Sequence, residues 1–212
     1  MRRPFELSGF VTPAAAALTF GVLASCGQSS SERQLQQDAG VVRNLIVEPM
    51  MYTVPDSPVR LLRDSDAIEL WPAPQGGHVL LVGARVAGLE SRIIELRARL
   101  RRHSSGEIVA EERRTVAVEP VPEQPALFET DRRTRTQVAH IAACPDYESV
   151  DVVDVPHALE VTVTELDAEL SSGSASVNVV PRCLPGDSGA SAHCRCECSA
   201  NYRLGRCVAS SE

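Results

Sequence analysis

The stretch 92–102, RIIELRARLRR, narrows the folds open to this chain more than any other. Ile94, Leu96, Ala98 and Leu100 alternate with Glu95, Arg97, Arg99 and Arg101. Successive side chains of a strand point to opposite faces, so this order makes one apolar face and one charged face. A helix needs apolar residues at i, i+3 and i+4, and wound as a helix the segment scatters arginine around its whole circumference. Leu, Arg and Ala favour helix as single residues, but the pattern outranks the propensity and predicts a strand. The next five residues, HSSGE (103–107), supply a hairpin turn with Gly106 for a positive φ. IVAEERRTVAVEPV (108–121) returns as the partner strand.

Other segments repeat this grammar. VRLL (59–62) and AIELW (67–71) flank the polar turn Asp64-Ser65-Asp66, and PAPQGG (72–77) breaks the chain before HVLLVGARV (78–86). No helix signal follows PQGGH (74–78), so it reads as a turn between strands and not as a phosphate loop. QVAHIAAC (137–144), ALEVTVTEL (158–166) and SASVNVV (174–180) are further strand candidates, the last two joined across DAELSSG. In ALEVTVTEL the apolar face is Leu159, Val161 and Val163. Three prolines and mixed charge make 119–136 a long surface loop. The apolar patch 41–47 and EPMMYTVPDSP (48–58) stay open between a lead-in strand and a loop. About eight short strands without a helix predict an all-β fold. The expected architecture is an antiparallel β-sandwich of the immunoglobulin or fibronectin type III kind over residues 41–182. Its core would be Val, Leu and Ile, with Trp71 as an anchor, followed by a cysteine-rich tail over 183–212.

The N-terminus carries Arg2 and Arg3, then a mostly apolar run from Phe10 to Ala24, too short for a comfortable membrane span. Leu23-Ala24-Ser25-Cys26 resembles the lipobox of bacterial lipoproteins. The resemblance implies a signal peptide over 1–25 and diacylglycerol and palmitate on Cys26. It also implies a lipid anchor in the cell envelope. In the sorting scheme of some Gram-negative lipoproteins, aspartate after the cysteine retains the protein in the inner membrane. Gly27 stands there, which implies the outer membrane. GQSSSERQLQQDA (27–39) is polar without an apolar period, so 26–40 reads as a flexible lipidated tether. Net charge is −7, and loss of Arg2, Arg3 and Glu6 gives −7 − 2 + 1 = −8. An acidic surface argues against nucleic acid and against electrostatic binding to anionic lipid. Four Phe, three Tyr and one Trp are few for a sugar-stacking platform.

Outside the cytoplasm disulfides form and persist. Six cysteines remain after Cys26: Cys144, Cys183, Cys194, Cys196, Cys198 and Cys207. The even number predicts three bridges. In an extended segment Cys194, Cys196 and Cys198 share a face, and a bond within the trio closes a very small strained ring. Each then pairs with Cys144, Cys183 or Cys207, which reduces fifteen connectivities to six. CECSANYRLGRC (196–207) resembles the end of an epidermal-growth-factor-like module, through Cys196, Cys198, Tyr202, Gly205 and Cys207. Asn201 stands where that family prefers glycine. The resemblance implies a Cys198–Cys207 bridge, with Cys194 and Cys196 taking Cys144 and Cys183 in either order. His193 with Cys194, Cys196 and Cys198 has the softness for zinc or copper(I). Zinc spacings leave two or more residues between ligands, however, and alternate residues do not. No metal or other cofactor is expected, with a metal-handling tail as an alternative.

Gly186-Asp187-Ser188-Gly189 resembles the nucleophile loop of trypsin-like serine proteases, which implies Ser188 as nucleophile. The departures are large. Ala190 replaces the second glycine after the serine, His140 is not adjacent to Cys144, and 48 positions from His140 to Ser188 cannot hold a second barrel. His78, His103, His140 and His157 show no metal spacing. The whole chain resembles exported lipoproteins of myxobacterial type, through the lipobox, the Pro74-Gln75-Gly76-Gly77 turn and the tail. That likeness implies no particular activity. The expected function is a non-catalytic binding or structural module anchored to the membrane through Cys26, with an envelope protein or surface ligand as partner. An envelope serine hydrolase using Ser188 is the alternative.

Overall fold

A computed structural model of the chain describes residues 44–53, 59–131, 135–145, 151–166, 171–186, 188–204 and 206–207. All of these belong to one compact unit, Gly40–Glu212. The expected signal peptide, the tether and Cys26 lie outside the described residues, as do residues 167–170 of the expected DAELSSG turn.

Among the described residues there are ten strands: β1 (Ile46–Met51), β2 (Arg60–Leu61), β3 (Asp66–Pro72), β4 (His78–Ala87), β5 (Ile93–Arg102), β6 (Ile108–Val121), β7 (Gln124–Thr130), β8 (Ala139–Cys144), β9 (His157–Glu165) and β10 (Ser172–Cys183). The alternating segments are strands as expected. Ile94, Leu96, Ala98 and Leu100 on β5 are fully buried, and so are Leu159, Val161 and Val163 on β9. Each such Leu, Ile or Val contributes about 1.5–3 kcal/mol of burial. The opposite face of β5 meets carboxylates on both neighbours. Arg97 and Arg99 reach Glu111 of β6, and Arg99 and Arg101 reach Glu160 of β9. Such cross-strand pairs contribute roughly 0.2–1 kcal/mol each. Gly106 takes φ +73° in the β5–β6 turn, as the sequence predicts.

Seven strands, in the order β4-β3-β10-β9-β5-β6-β7, close into a barrel because β7 pairs back onto β4. β4 makes this possible by sharing its length. One edge pairs with β1 over Val82–Ala87 and with β3 over His78–Leu80. The other edge pairs with β7 over Arg85–Ala87 and with β8 over His78–Val82. The pairing is antiparallel throughout the named strands except for β3 with β10, which run parallel. Closure leaves few unpaired edges, the usual hazard of an all-β chain.

Three expectations need correction. The stretch 119–136 is not a long loop. β6 runs to Val121, a two-residue turn follows, and β7 returns and closes the barrel. Its buried residues include a charge, Glu129, whose carboxylate sits 2.5 Å from Arg85 Nη2, so it carries no apolar alternation. The tail is not helix-free: α1 spans Ser188–Glu197, and a 3₁₀ turn covers Arg135–Gln137. Trp71 lies outside the main core. It packs with Tyr52, Val79, Leu81 and Val138 in a smaller cluster, and Arg135 stacks 4.6 Å above its ring.

Candidate functional site

Helix α1 explains the disulfide map. At about 100° per residue, Cys194 and Cys198 lie on one side of a helical turn and Cys196 lies opposite. The Cys198 N–H donates to the Cys194 carbonyl at 2.9 Å, so the turn continues through Cys198. Cys194 and Cys198 are buried against the barrel, while Cys196 is only half-buried. The inward pair takes the barrel cysteines: Cys198 bonds Cys144 of β8, and Cys194 bonds Cys183 of β10. The outward Cys196 bonds Cys207. The implied Cys198–Cys207 bridge is therefore wrong, because the helical turn carries Cys198 inward to Cys144 and leaves Cys196 for Cys207. The first residue after α1 is also tied to the barrel side. Val152 N–H donates to the Cys198 carbonyl, Ala200 N–H donates to Asp151, and Arg195 meets Asp154 at 2.6 Å.

Between α1 and the β3–β4 turn lies a cleft of about 450 Å³. Leu70, Pro72 and His78 come from the barrel, Ala73 from the turn, and Leu184 and Ala190 from the tail. The turn needs glycine where it approaches β8. Gly77 has φ +76°, and a Cβ there would stand 2.5 Å from the Cys144 carbonyl oxygen. This approach sets His78 opposite Cys144 in the β4–β8 ladder.

The polar part of the cleft is a chain of three side chains. Glu197 on α1 sits 3.0 Å from His78 Nδ1 through one carboxylate oxygen and 3.2 Å from His193 Nε2 through the other. His193 Nδ1 lies 3.2 Å from the Cys207 carbonyl. The His78 ring is buried with Glu197 as its acidic neighbour. Burial pushes the His78 pKa below the usual histidine range; Glu197 opposes this and His193 adds to it. His78 is therefore neutral at pH 7. A ligand with an apolar body and a cationic or donor group fits such a lining, the body against Leu and Pro and the donor toward Glu197.

The alternative metal set of His193 with Cys194, Cys196 and Cys198 is not the group that converges. Among the described residues one group converges instead: ligand atoms of His78, Cys194 and Cys198 all lie within 4.8 Å of one another. Both sulfurs are held in disulfides. Sequence spacing could not find His78, which is 116 positions from Cys194. Asp187 and the Ser188 side chain lie outside the described residues. His140, the other half of the protease likeness, sits on β8 with its Nε2 2.6 Å from the Arg135 carbonyl and its N–H donated to Glu112. The chain matches no protein-family model and no curated protein, so function rests on the site itself.

Proposed function

We propose that the protein is an envelope lipoprotein, held to the outer membrane by lipid on Cys26, that displays a non-catalytic binding module. The observation that carries the binding reading is the cleft between α1 and the β3–β4 turn. Its walls are apolar and stapled by two disulfides, so little ordering cost falls on the ligand. Its one described cysteine, Cys194, is disulfide-bonded and so is no free thiol nucleophile. The partner of this reading is an envelope protein that inserts an apolar side chain beside a basic one facing Glu197. Three disulfides suit the oxidising compartment that an exported chain meets. A kinship of the fold with immunoglobulin- or fibronectin-III-like sandwiches, in architecture only, is part of the same reading. β4, serving two partners on each edge, is the kind of strand that would join the two sheets of a sandwich.

Two measurements test this. Intact mass of the protein from membranes, before and after reduction and alkylation, should show an acylated Cys26 and six thiols that appear only on reduction. Capture of envelope proteins by the full chain should give a partner that Ala190→Trp, which fills the cleft, no longer retains. A partner retained equally by Ala190→Trp, or hydrolase turnover that Ser188→Ala abolishes, would overturn the binding assignment. An unmodified Cys26 would overturn the anchor.

A further inference from the structure

We propose that His78, Cys194 and Cys198 form a redox-gated site for a thiophilic metal ion such as zinc(II), closed while the disulfides stand and opened by their reduction. The geometry is nearly in place. The three ligand atoms lie within 4.8 Å of one another. Zinc holds sulfur at about 2.3 Å and imidazole nitrogen at about 2.0–2.1 Å. Two ligands of a tetrahedral ion are thus about 3.5–3.8 Å apart, so a contraction of up to about 1 Å completes the set. The helical turn supplies what the sequence spacing denied. Cys194 and Cys198 are not alternate residues of a strand but i, i+4 neighbours, with three residues between them to wrap an ion.

The surroundings suit a ligand. His78 is buried beside the two sulfurs. Glu197, 3.0 Å away, orients that ring as carboxylates orient metal-bound histidines. Cys144 is bonded to the Cys198 sulfur at 2.02 Å, so reduction of that bridge releases both thiols. The converging donors are two cysteines and one histidine, and the fourth position of the ion stays open. Cys194 lines the cleft, which gives reductant and ion a route in.

The gating step balances with a dithiol as reductant. Its thiolate attacks one sulfur of a bridge and forms a mixed disulfide, releasing the other sulfur as a thiol. Its second thiol then displaces the remaining cysteine, and the reductant leaves as its own disulfide. Two dithiols free Cys144, Cys183, Cys194 and Cys198. The ion then displaces the protons of the thiols it binds. This inference does not depend on the binding reading of the cleft or on the lipid anchor.

Cobalt(II) is the probe, titrated into the full chain before and after reduction with a phosphine. We expect no stoichiometric binding by the oxidised protein. The reduced protein should take one equivalent, with thiolate charge-transfer absorption and the intense visible bands of a tetrahedral centre. His78→Gln should weaken binding by at least the roughly 10–100-fold that even an outer-sphere partner is worth. Cys196→Ser with Cys207→Ser should leave it unchanged. Absence of the absorption after reduction would overturn the proposal. So would equal affinity of wild type and His78→Gln, since the metal would then be held by thiols of a loosened chain.

Discussion

Removing the Cys144–Cys198 bridge should cost more than removing either of the others, by an amount that loop length sets. Its cysteines are 54 positions apart, whereas those of Cys183–Cys194 and Cys196–Cys207 are each 11 apart. In the chain-entropy account, closing the longer loop is worth about 4.2 kcal/mol at 25 °C and closing a shorter one about 2.8 kcal/mol. The Cys183–Cys194 bridge lies within the long loop and short-circuits part of it, which returns about 0.2 kcal/mol. The difference between Cys144→Ala/Cys198→Ala and Cys196→Ala/Cys207→Ala is then about 1.2 kcal/mol before packing is considered. Packing widens the gap, because Cys144 and Cys198 are buried while Cys196 and Cys207 are only half-buried. Cys183→Ala/Cys194→Ala should fall between the two, since its loop matches the short one but Cys194 is buried. Urea denaturation of the three double variants without reductant reads these differences directly. Equal losses for the first two variants, or a larger loss for Cys196/Cys207, would refute the reasoning.

His78 and His157 are both buried, and burial holds each below the usual histidine range. As pH falls through about 6.5 the unfolded chain takes up their protons before the native one does, so stability present above that pH is lost below it. The slope should reach at most about 1.4 kcal/mol per pH unit for each histidine. His157→Gln should flatten a denaturation series between about pH 7.5 and 5.5, and a flat wild-type series would contradict the assignment. Glu165 is buried and accepts the N–H groups of Glu90 and Ser91 at 2.5 and 2.7 Å. Glu165→Gln should cost about 2 kcal/mol by denaturation and speed amide exchange at 90 and 91. Gly77→Ala should be clearly more damaging than Gly76→Ala. Both glycines have positive φ, but only the Gly77 Cβ collides with the Cys144 carbonyl. Denaturation of the pair checks this, and equal losses would mean that φ alone matters there.

Period two, written out in 92–102 and 158–166, was enough to specify strands and to state which side chains are buried, because alternation of faces is a local property of an extended backbone. The same holds for the hairpin at Gly106 and the turn at Gly76-Gly77, where the needed φ is a property of one residue. Six cysteines in an exported-looking chain also indicated three bridges without any structure. Barrel closure was not legible, because it depends on β7, a strand with a proline and a buried glutamate whose partner, Arg85, comes from another part of the chain. The disulfide map was not legible for a related reason. Cysteines at i, i+2 and i+4 share one side if extended and divide into two and one if helical, and packing of α1 on the barrel settles which. The cleft and the convergence of His78 with Cys194 and Cys198 belong wholly to the tertiary structure. Spacing along a chain says nothing about residues 116 positions apart until β4 and α1 are folded against each other.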